Sequence, residues 1–425
     1  MEKTPKSMRL QIGIFGRTNV GKSSFLNMVT GQDVSITSPV PGTTTDVVEK
    51  TMEFHGLGPV VFLDTAGVND DSQLGQLRLE KAQKIIHRSD MILLVVEPNI
   101  WSEFEERIIK AAQEQKTPVM AVINKTDILS PTLHFVEQLK GKTVDFLSCS
   151  SIKKENRESY IAQLEKMLMG ANPKAVTAEP HLIQDLVKAK GLALLVTPID
   201  IEAPKGRLKM LQVQAIRELL DHDKMALTVK ETEYMQALMK LEKFPDLVVC
   251  DSPVVGMIAD KTPKSVPCTT FSILMARYKG DLLEQVKGVA AIDRLGDGDK
   301  VLIAEACSHH AIDEDIGRVK IPNAIKQRTG KDIQFNISPG RDYPGDVADY
   351  KLIIHCGACM LTRKEMLLRI AQARAAGVAI TNYGVCLAFL QGVLARTLSP
   401  FEDMLAAYFN EIATGEINYH ECVLS

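Results

Sequence analysis

The 425-residue sequence has no long apolar run. Its longest purely apolar stretches, such as Met91 to Val96, are far too short to span a bilayer. The start, Met1 to Leu10, is polar and carries no apolar core of signal-peptide length, so a cytoplasmic protein without membrane contact is expected. An excess of one charge is also lacking: 50 Lys and Arg stand against 53 Asp and Glu, a net charge of −3. That balance argues against a general nucleic-acid binder, which needs a basic surface for phosphate. There is no fixed-period repeat, no low-complexity tract and no flavin or nicotinamide fingerprint. Apolar content, in contrast, is ample at 45 %, which excludes disorder as the main state. At roughly 100–200 residues per domain the length suits two to four domains. Eight cysteines in a cytosolic chain read as reduced thiols or metal ligands rather than disulfides, and five of them fall in the last third.

From Met8 to Gly170 short apolar runs alternate with helical patterns. Leu10–Phe15, Val60–Leu63, Met91–Val96 and Val119–Ile123 are of buried-strand type, which predicts a doubly wound α/β domain. Ala171–Pro180, with two prolines and little pattern, reads as a linker. The middle segment predicts strands at Leu192–Val196, Met225–Val229 and Leu247–Cys250, with helices near 209–220 and 231–241. Lys261–Pro267 reads as a second boundary. A third series follows, with strands at Val301–Ala306, Ile333–Ile337, Leu352–Ile354 and Val378–Thr381.

Gly16-Arg17-Thr18-Asn19-Val20-Gly21-Lys22-Ser23 fits G-x-x-x-x-G-K-[ST] between a predicted strand and the helical Ser24–Val29. Its glycines let backbone N–H groups wrap phosphates. Lys22 is suited to neutralise β/γ-phosphate charge, and Ser23 to ligate Mg²⁺. Asp64-Thr65-Ala66-Gly67 ends the strand Val60–Leu63: the Asp suits Mg²⁺ through water, and the Gly67 N–H suits a γ-phosphate sensor. Asn124-Lys125-Thr126-Asp127 ends the strand Val119–Ile123. The Asp127 carboxylate is suited to accept two hydrogen bonds from guanine N1 and N2, a donor pair adenine lacks. Thr43-Thr44-Thr45 lies in a Pro/Gly-flanked loop suited to a switch, and Ser148-Cys149-Ser150 reads as a guanine-side loop or an ordinary strand end.

A second constellation lies near the C-terminus. Cys307-Ser308-His309 follows one predicted strand, and His355-Cys356-Gly357-Ala358-Cys359 follows another. The pattern is C-x-H, 45 residues, then H-C-x-x-C. Both segments stand where a strand hands over to a helix, the carboxyl edge at which open parallel sheets bind ligands. Three thiolates with a Cys-x-x-Cys suit zinc or an iron–sulfur cluster. A closed structural zinc site and a thioredoxin-like dithiol are the competing readings.

The first 170 or so residues resemble the P-loop GTPases of the translation-factor class. Val68 stands where Ras-like switches place a water-orienting Gln, as in GTPases of tRNA modification and ribosome assembly. Those carry a P-loop Asn that helps bind K⁺, and Asn19 matches it. The resemblance implies slow, K⁺-stimulated hydrolysis of GTP with Mg²⁺. It assigns catalysis to Lys22, Thr44, Asp64 and Gly67, and nucleotide binding to Gly16, Asn19, Gly21, Lys22, Ser23, Ser24, Asn124, Lys125, Asp127 and Ser148. A P-loop GTPase followed by two domains, the last with C-x-H…H-C-x-x-C, resembles the HydF family of iron–iron hydrogenase maturation GTPases over the whole chain.

That resemblance implies a GTPase domain (1–172), a small α/β dimerisation domain (181–264) and a C-terminal α/β cluster-binding domain (270–425). It implies a 4Fe-4S cluster on Cys307, Cys356 and Cys359. It also implies a transient di-iron subcluster built by two radical-SAM maturases and passed to apo iron–iron hydrogenase, in a homodimer or higher oligomer. Three thiolates leave one iron of a cubane open. His309, His355 and Glu314 are the candidates for that position, a non-thiolate ligand being the more exchangeable choice. The alternative is a regulatory or tRNA/ribosome-linked GTPase with a structural zinc domain.

Overall fold

The structure is a computed structural model. It describes residues 9–31, 48–54, 57–64, 75–171, 180–199, 208–306, 315–340 and 343–414. The chain divides into two compact units, Met1–Glu179 and Pro180–Ser425.

The first unit holds a six-stranded sheet, built from β1 (Leu10–Phe15), β2 (Val48–Phe54), β3 (Gly58–Asp64), β4 (Met91–Val96), β5 (Val119–Ile123) and β6 (Phe146–Ser148). The order is β2-β3-β1-β4-β5-β6, parallel except for β2 against β3. The central strands are predominantly apolar because both faces are covered. Ile12, Ile14, Leu93 and Val122 pack under α1 (Lys22–Thr30) and α5 (Arg157–Ala171). Phe15, Leu63, Leu94 and Ile123 pack under α2 (Gly75–Arg88), α3 (Glu103–Glu114) and α4 (Leu133–Lys142). β2 was not expected from the sequence. It is an antiparallel edge strand, VEKTMEF, whose polar residues break the apolar run that marks its neighbours. β1 lies between β3 and β4, so the chain winds off in both directions at its carboxyl end. That is the topological switch point where ligands bind in such sheets.

The second unit holds two four-stranded parallel sheets. The first has the order β10-β9-β7-β8, from β7 (Leu192–Val196), β8 (Met225–Val229), β9 (Leu247–Cys250) and β10 (Cys268–Thr270). The helices Met210–Asp221 (α6), Tyr234–Lys240 (α7) and Val255–Lys261 (α8) accompany it. β10 lies beyond residue 264 and is an edge strand of this middle sheet. At three residues it is too short to show as a pattern. The other sheet has the order β12-β11-β13-β14, from β11 (Lys300–Ala304), β12 (Gln334–Ser338), β13 (Leu352–His355) and β14 (Ala379–Asn382).

Helices α9 (Phe271–Lys279), α10 (Leu282–Val289), α11 (Ile321–Thr329), α12 (Arg363–Ala375), α13 (Tyr383–Leu390), α14 (Leu394–Thr397) and α15 (Glu402–Thr414) complete the unit. α10 lies directly on β14. A Cβ on Gly288 would come within 2.0 Å of the Ile380 carbonyl oxygen, so only glycine allows this approach. Polar contacts tie the C-terminal helical segment to the middle sheet. The Arg396 guanidinium donates to the carbonyls of Pro263 (3.0 Å) and Val266 (2.7 Å), and Ser399 Oγ accepts from Cys268 N (3.1 Å). Among the described residues no helix is long and apolar enough to cross a membrane.

Candidate nucleotide and cysteine sites

The phosphate loop turns from the end of β1 into α1. Gly21, the N-cap of α1, has φ +92°, and a Cβ there would lie 2.3 Å from Asn124 Nδ2. Asn19 also takes a left-handed backbone, φ 64°, which Asn tolerates better than most residues, and its side chain is exposed. Lys22 is 7 % exposed, and its Nζ donates to the carbonyls of Gly16 (2.7 Å) and Arg17 (2.9 Å). Burial pushes its pKa down to about 8, with the Asp64 carboxylate opposing the shift. Asp64 ends β3 and is buried. Ser23 is half-buried and Ser24 exposed in the first turn of α1.

Asn124 joins three segments. Its Nδ2 donates to Val20 O (3.0 Å), and its Oδ1 accepts from Ser151 N (3.1 Å) and Ser151 Oγ (2.8 Å). Asp127 is exposed, and Ser150 Oγ donates to its Oδ1 at 2.6 Å. That hydrogen bond holds the carboxyl below the usual carboxylate range. The Lys125 ammonium lies 2.6 Å from Glu97 Oε1. Ser148, the residue expected on the guanine side, is the last residue of β6, opposite Ile123 in the ladder. The contacts to Asp127 and Asn124 come from Ser150 and Ser151. The guanine-side segment expected from the sequence includes Ser150 but stops short of Ser151. The signal was the polar Ser150-Ser151 pair just after the strand. Thr44 and Gly67 lie outside the described residues.

The donors present fit a guanine nucleotide with Mg²⁺. A buried lysine stands at the phosphate loop, a hydroxyl and a buried carboxylate stand near it, and an exposed carboxylate is pre-aligned by a serine at the base end.

In the second unit the ladder continues past β13: Cys356 N donates to Ala304 O (2.9 Å). Cys356 Sγ accepts from Ala306 N at 3.0 Å, from the residue preceding Cys307 in the chain. Cys359 is exposed. Between them Ala358 is buried with φ 55°, an unusual backbone for an L-residue with a side chain. His355 is wholly buried; Cys356 O lies 2.8 Å from its Nδ1 and Arg369 Nη1 2.8 Å from its Nε2. A carbonyl only accepts and a guanidinium only donates, so the ring is neutral with its proton on Nδ1. Burial drives its pKa down to about 3, and the Arg369 charge adds to the shift. Arg369 also stacks on Tyr343, 4.6 Å from the ring centre.

Glu305, next to Ala306, is buried and paired with Arg318 at 2.7 Å. Asp315 Oδ1 accepts from Arg318 N (2.8 Å), capping the turn that leads into α11. Cys307, His309 and Glu314 lie outside the described residues. Among the described residues no group of three His, Cys, Asp or Glu side chains converges on one point. The two described thiols, in a Cys-x-x-Cys turn at the carboxyl edge, fit a thiolate-held metal group. His355, with both nitrogens engaged, turns none outward in this arrangement. The thiols of Cys149, Cys250, Cys268 and Cys386 are buried, and burial raises the pKa of each.

This first unit is a P-loop GTPase domain: residues 11–125 match the family model described as a 50S ribosome-binding GTPase. Residues 182–280 match the hydrogen maturase F dimerization domain, and 283–400 the hydrogen maturase F tetramerization domain. The chain belongs to the hydrogen maturase F family. It is 32 % identical over 202 residues to the mitochondrial tRNA modification GTPase MSS1 of Saccharomyces cerevisiae, covering 44 % of this chain and 38 % of that protein. It is 36 % identical over 212 residues to GTPase Der of Kosmotoga olearia, covering 48 % and 42 %. The chain thus spans less than half the length of these curated relatives. A crystal structure of Era in complex with MgGDPNP and a segment of 16S ribosomal RNA aligns with 27 % identity and a TM-score of 0.32, over 39 % of this chain and 57 % of that one.

Proposed function

We propose that this chain is a GTP-hydrolysing scaffold and carrier of hydrogenase maturation. In this reading it binds a 4Fe-4S cluster, carries a di-iron subcluster built with two radical-SAM maturases, and delivers it to apo iron–iron hydrogenase. One observation carries the reading. Guanine-nucleotide groups at both the phosphate and the base end of a site, and a Cys-x-x-Cys at a parallel-sheet edge, occur in one chain that also holds both oligomerisation domains of the hydrogen maturase F family.

In this reading Lys22 neutralises phosphate charge, Ser23 and Asp64 hold Mg²⁺, and Thr44 and Gly67 sense the γ-phosphate. Asp127, aligned by Ser150, accepts from guanine N1 and N2. Asn19 is the K⁺ ligand, and hydrolysis is slow without it. Cys307, Cys356 and Cys359 hold the cluster, which when bound supplies an iron not taken by thiolate. His309 and Glu314 are the stronger candidates for that iron, because both nitrogens of His355 are engaged within the protein. The Ala306 N–H lowers the charge density on the Cys356 sulfur and fixes its direction. We further assign the nucleotide chemistry to residues 1–172, dimer formation to 181–264 and the cluster to 270–425, in a cytoplasmic homo-oligomer.

The GTPase matches favour a second reading, in which the first unit is a tRNA- or ribosome-linked GTPase and the cysteines form a structural zinc site. Anaerobic purification followed by iron, sulfide and zinc analysis separates the two. Iron and sulfide in equal amounts, with absorption near 400 nm, is the expected result. One zinc per chain in a colourless protein overturns the proposal.

A further inference from the structure

An acidic bridge outside every nucleotide motif joins the two ends of the nucleotide site. Glu97 follows β4. One of its oxygens lies 2.6 Å from Lys125 Nζ in the base-reading loop, and the other lies 3.7 Å from Arg17 Nη2 in the phosphate loop. Arg17 is held by a second carboxylate as well: its Nε donates to Glu105 Oε1 at 2.9 Å. Glu105 is wholly buried in the first turn of α3. Its second oxygen accepts from Ser102 N (2.7 Å) and Ser102 Oγ (2.5 Å), closing the capping box of that helix. The carbonyl of Arg17 in turn accepts from Lys22 Nζ. A continuous line of polar contacts therefore runs from the rigid start of α3 through Arg17 to the phosphate-binding lysine, and through Glu97 to the base loop.

Lys125 and Arg17 are two cations that share one carboxylate. Without its charge they repel each other across the site, and Lys125, whose backbone is left-handed at φ 62°, loses the contact that sets its direction. We propose that Glu97 is a positioning residue for guanine-nucleotide binding: it holds the base-reading and phosphate loops at the spacing a guanosine di- or triphosphate needs, with Glu105 anchoring Arg17 at the phosphate end. The proposal rests on the reading of the first unit as a guanine-nucleotide site.

The test uses the full-length chain, with GDP binding measured by calorimetry and GTP turnover by phosphate release. Glu97→Gln is expected to weaken GDP binding and raise KM for GTP by about tenfold, the scale of two partly exposed ion pairs, with kcat within twofold of the parent. Glu97→Asp, which keeps the charge, is expected to recover part of the loss. Glu103→Gln removes only the exposed pair with Arg107 and is expected to leave both constants unchanged. A folded Glu97→Gln protein with the parent's KM and GDP affinity overturns the proposal, and so does a loss confined to kcat. Should Glu97→Gln not fold, a Glu97→Asp protein that binds GDP no better than Glu97→Ala overturns it equally. A parent protein that does not bind GDP at all overturns the nucleotide reading itself, which keeps the two failures apart.

Discussion

At the carboxyl edge of β1 the nucleotide loops are laced together by side chains. Asn124 reaches Val20 and Ser151, Ser150 aligns Asp127, and Glu97 spans Lys125 and Arg17. At the carboxyl edge of β11 and β13 the described cysteines are held by backbone. Cys356 is fixed by the ladder and by the Ala306 N–H, and the Cys359 thiol meets the backbone of its own turn while burial raises its pKa. The same sheet geometry thus supports two kinds of site. A diffusible nucleotide is met by donors already aligned, which lowers the ordering cost of binding. The cysteine edge instead offers thiols held by backbone N–H groups.

The sharpest way to break this comparison is to disable each site alone. Lys22→Ala is expected to reduce GTP turnover by on the order of a hundredfold or more, as for other groups that meet developing phosphate charge, with iron content unchanged. Cys307→Ser, Cys356→Ser and Cys359→Ser are each expected to lose most of the bound iron and hydrogenase activation while GTP turnover stays within twofold. Iron analysis and phosphate release on the same preparations check both. Loss of turnover in the cysteine variants would show that the two sites are not separable.

pH acts on the nucleotide site through Lys22. Its pKa lies near 8 in the protein, and the charged ammonium is the form that binds phosphate. Below pH 8 binding needs no proton. Above it each nucleotide must first recharge the lysine, so GDP affinity is expected to be flat from pH 7 to about 8 and to fall toward tenfold per unit beyond. Calorimetry in two buffers of different ionisation heat would detect the proton taken up at the higher pH.

Smaller effects sharpen the base end. Ser150→Ala removes the hydrogen bond that holds the Asp127 carboxyl low, so that pKa is expected to rise toward its ordinary value and GDP affinity to fall several-fold. Asp127→Asn is expected to shift selection from guanine toward xanthine nucleotides, read by competition with xanthosine triphosphate. The smallest effect concerns Asn19. GTP turnover in KCl is expected to exceed that in NaCl, and Asn19→Ala to erase the difference; equal rates in the parent discard the K⁺ assignment.

Strands with an apolar run were legible: β1, β4, β5, β7 and β9 coincide with theirs residue for residue, and so does the edge strand β8. The edge strands β2 and β10 were not. β2 alternates with polar residues, and β10 is three residues long. Motifs located the phosphate loop and Asn124-Lys125-Thr126-Asp127, because their chemistry lies in consecutive residues. Ser151, Glu97 and Glu105 act across segments far apart in the chain, and no local pattern marks such contacts. His355 shows the same limit. Its place beside Cys356 suggested a ligand, whereas its surroundings depend on Arg369, one helix away.

Ala358 gives the cysteine turn a mechanical character. A left-handed alanine costs about 1–2 kcal/mol, and it persists only where its surroundings overrule it. Here the constraint is its methyl group, seated in the same apolar cluster as Leu302, Ile353 and Ile370. The spacing of the Cys356 and Cys359 sulfurs is therefore set by core packing as well as by the turn itself. The turn works as a spring latched by the core: trimming Ile370 would let it relax, and the sulfurs would lose their alignment while the sheet still stood. Metal affinity would then report on the interior of this domain at temperatures well below its melting.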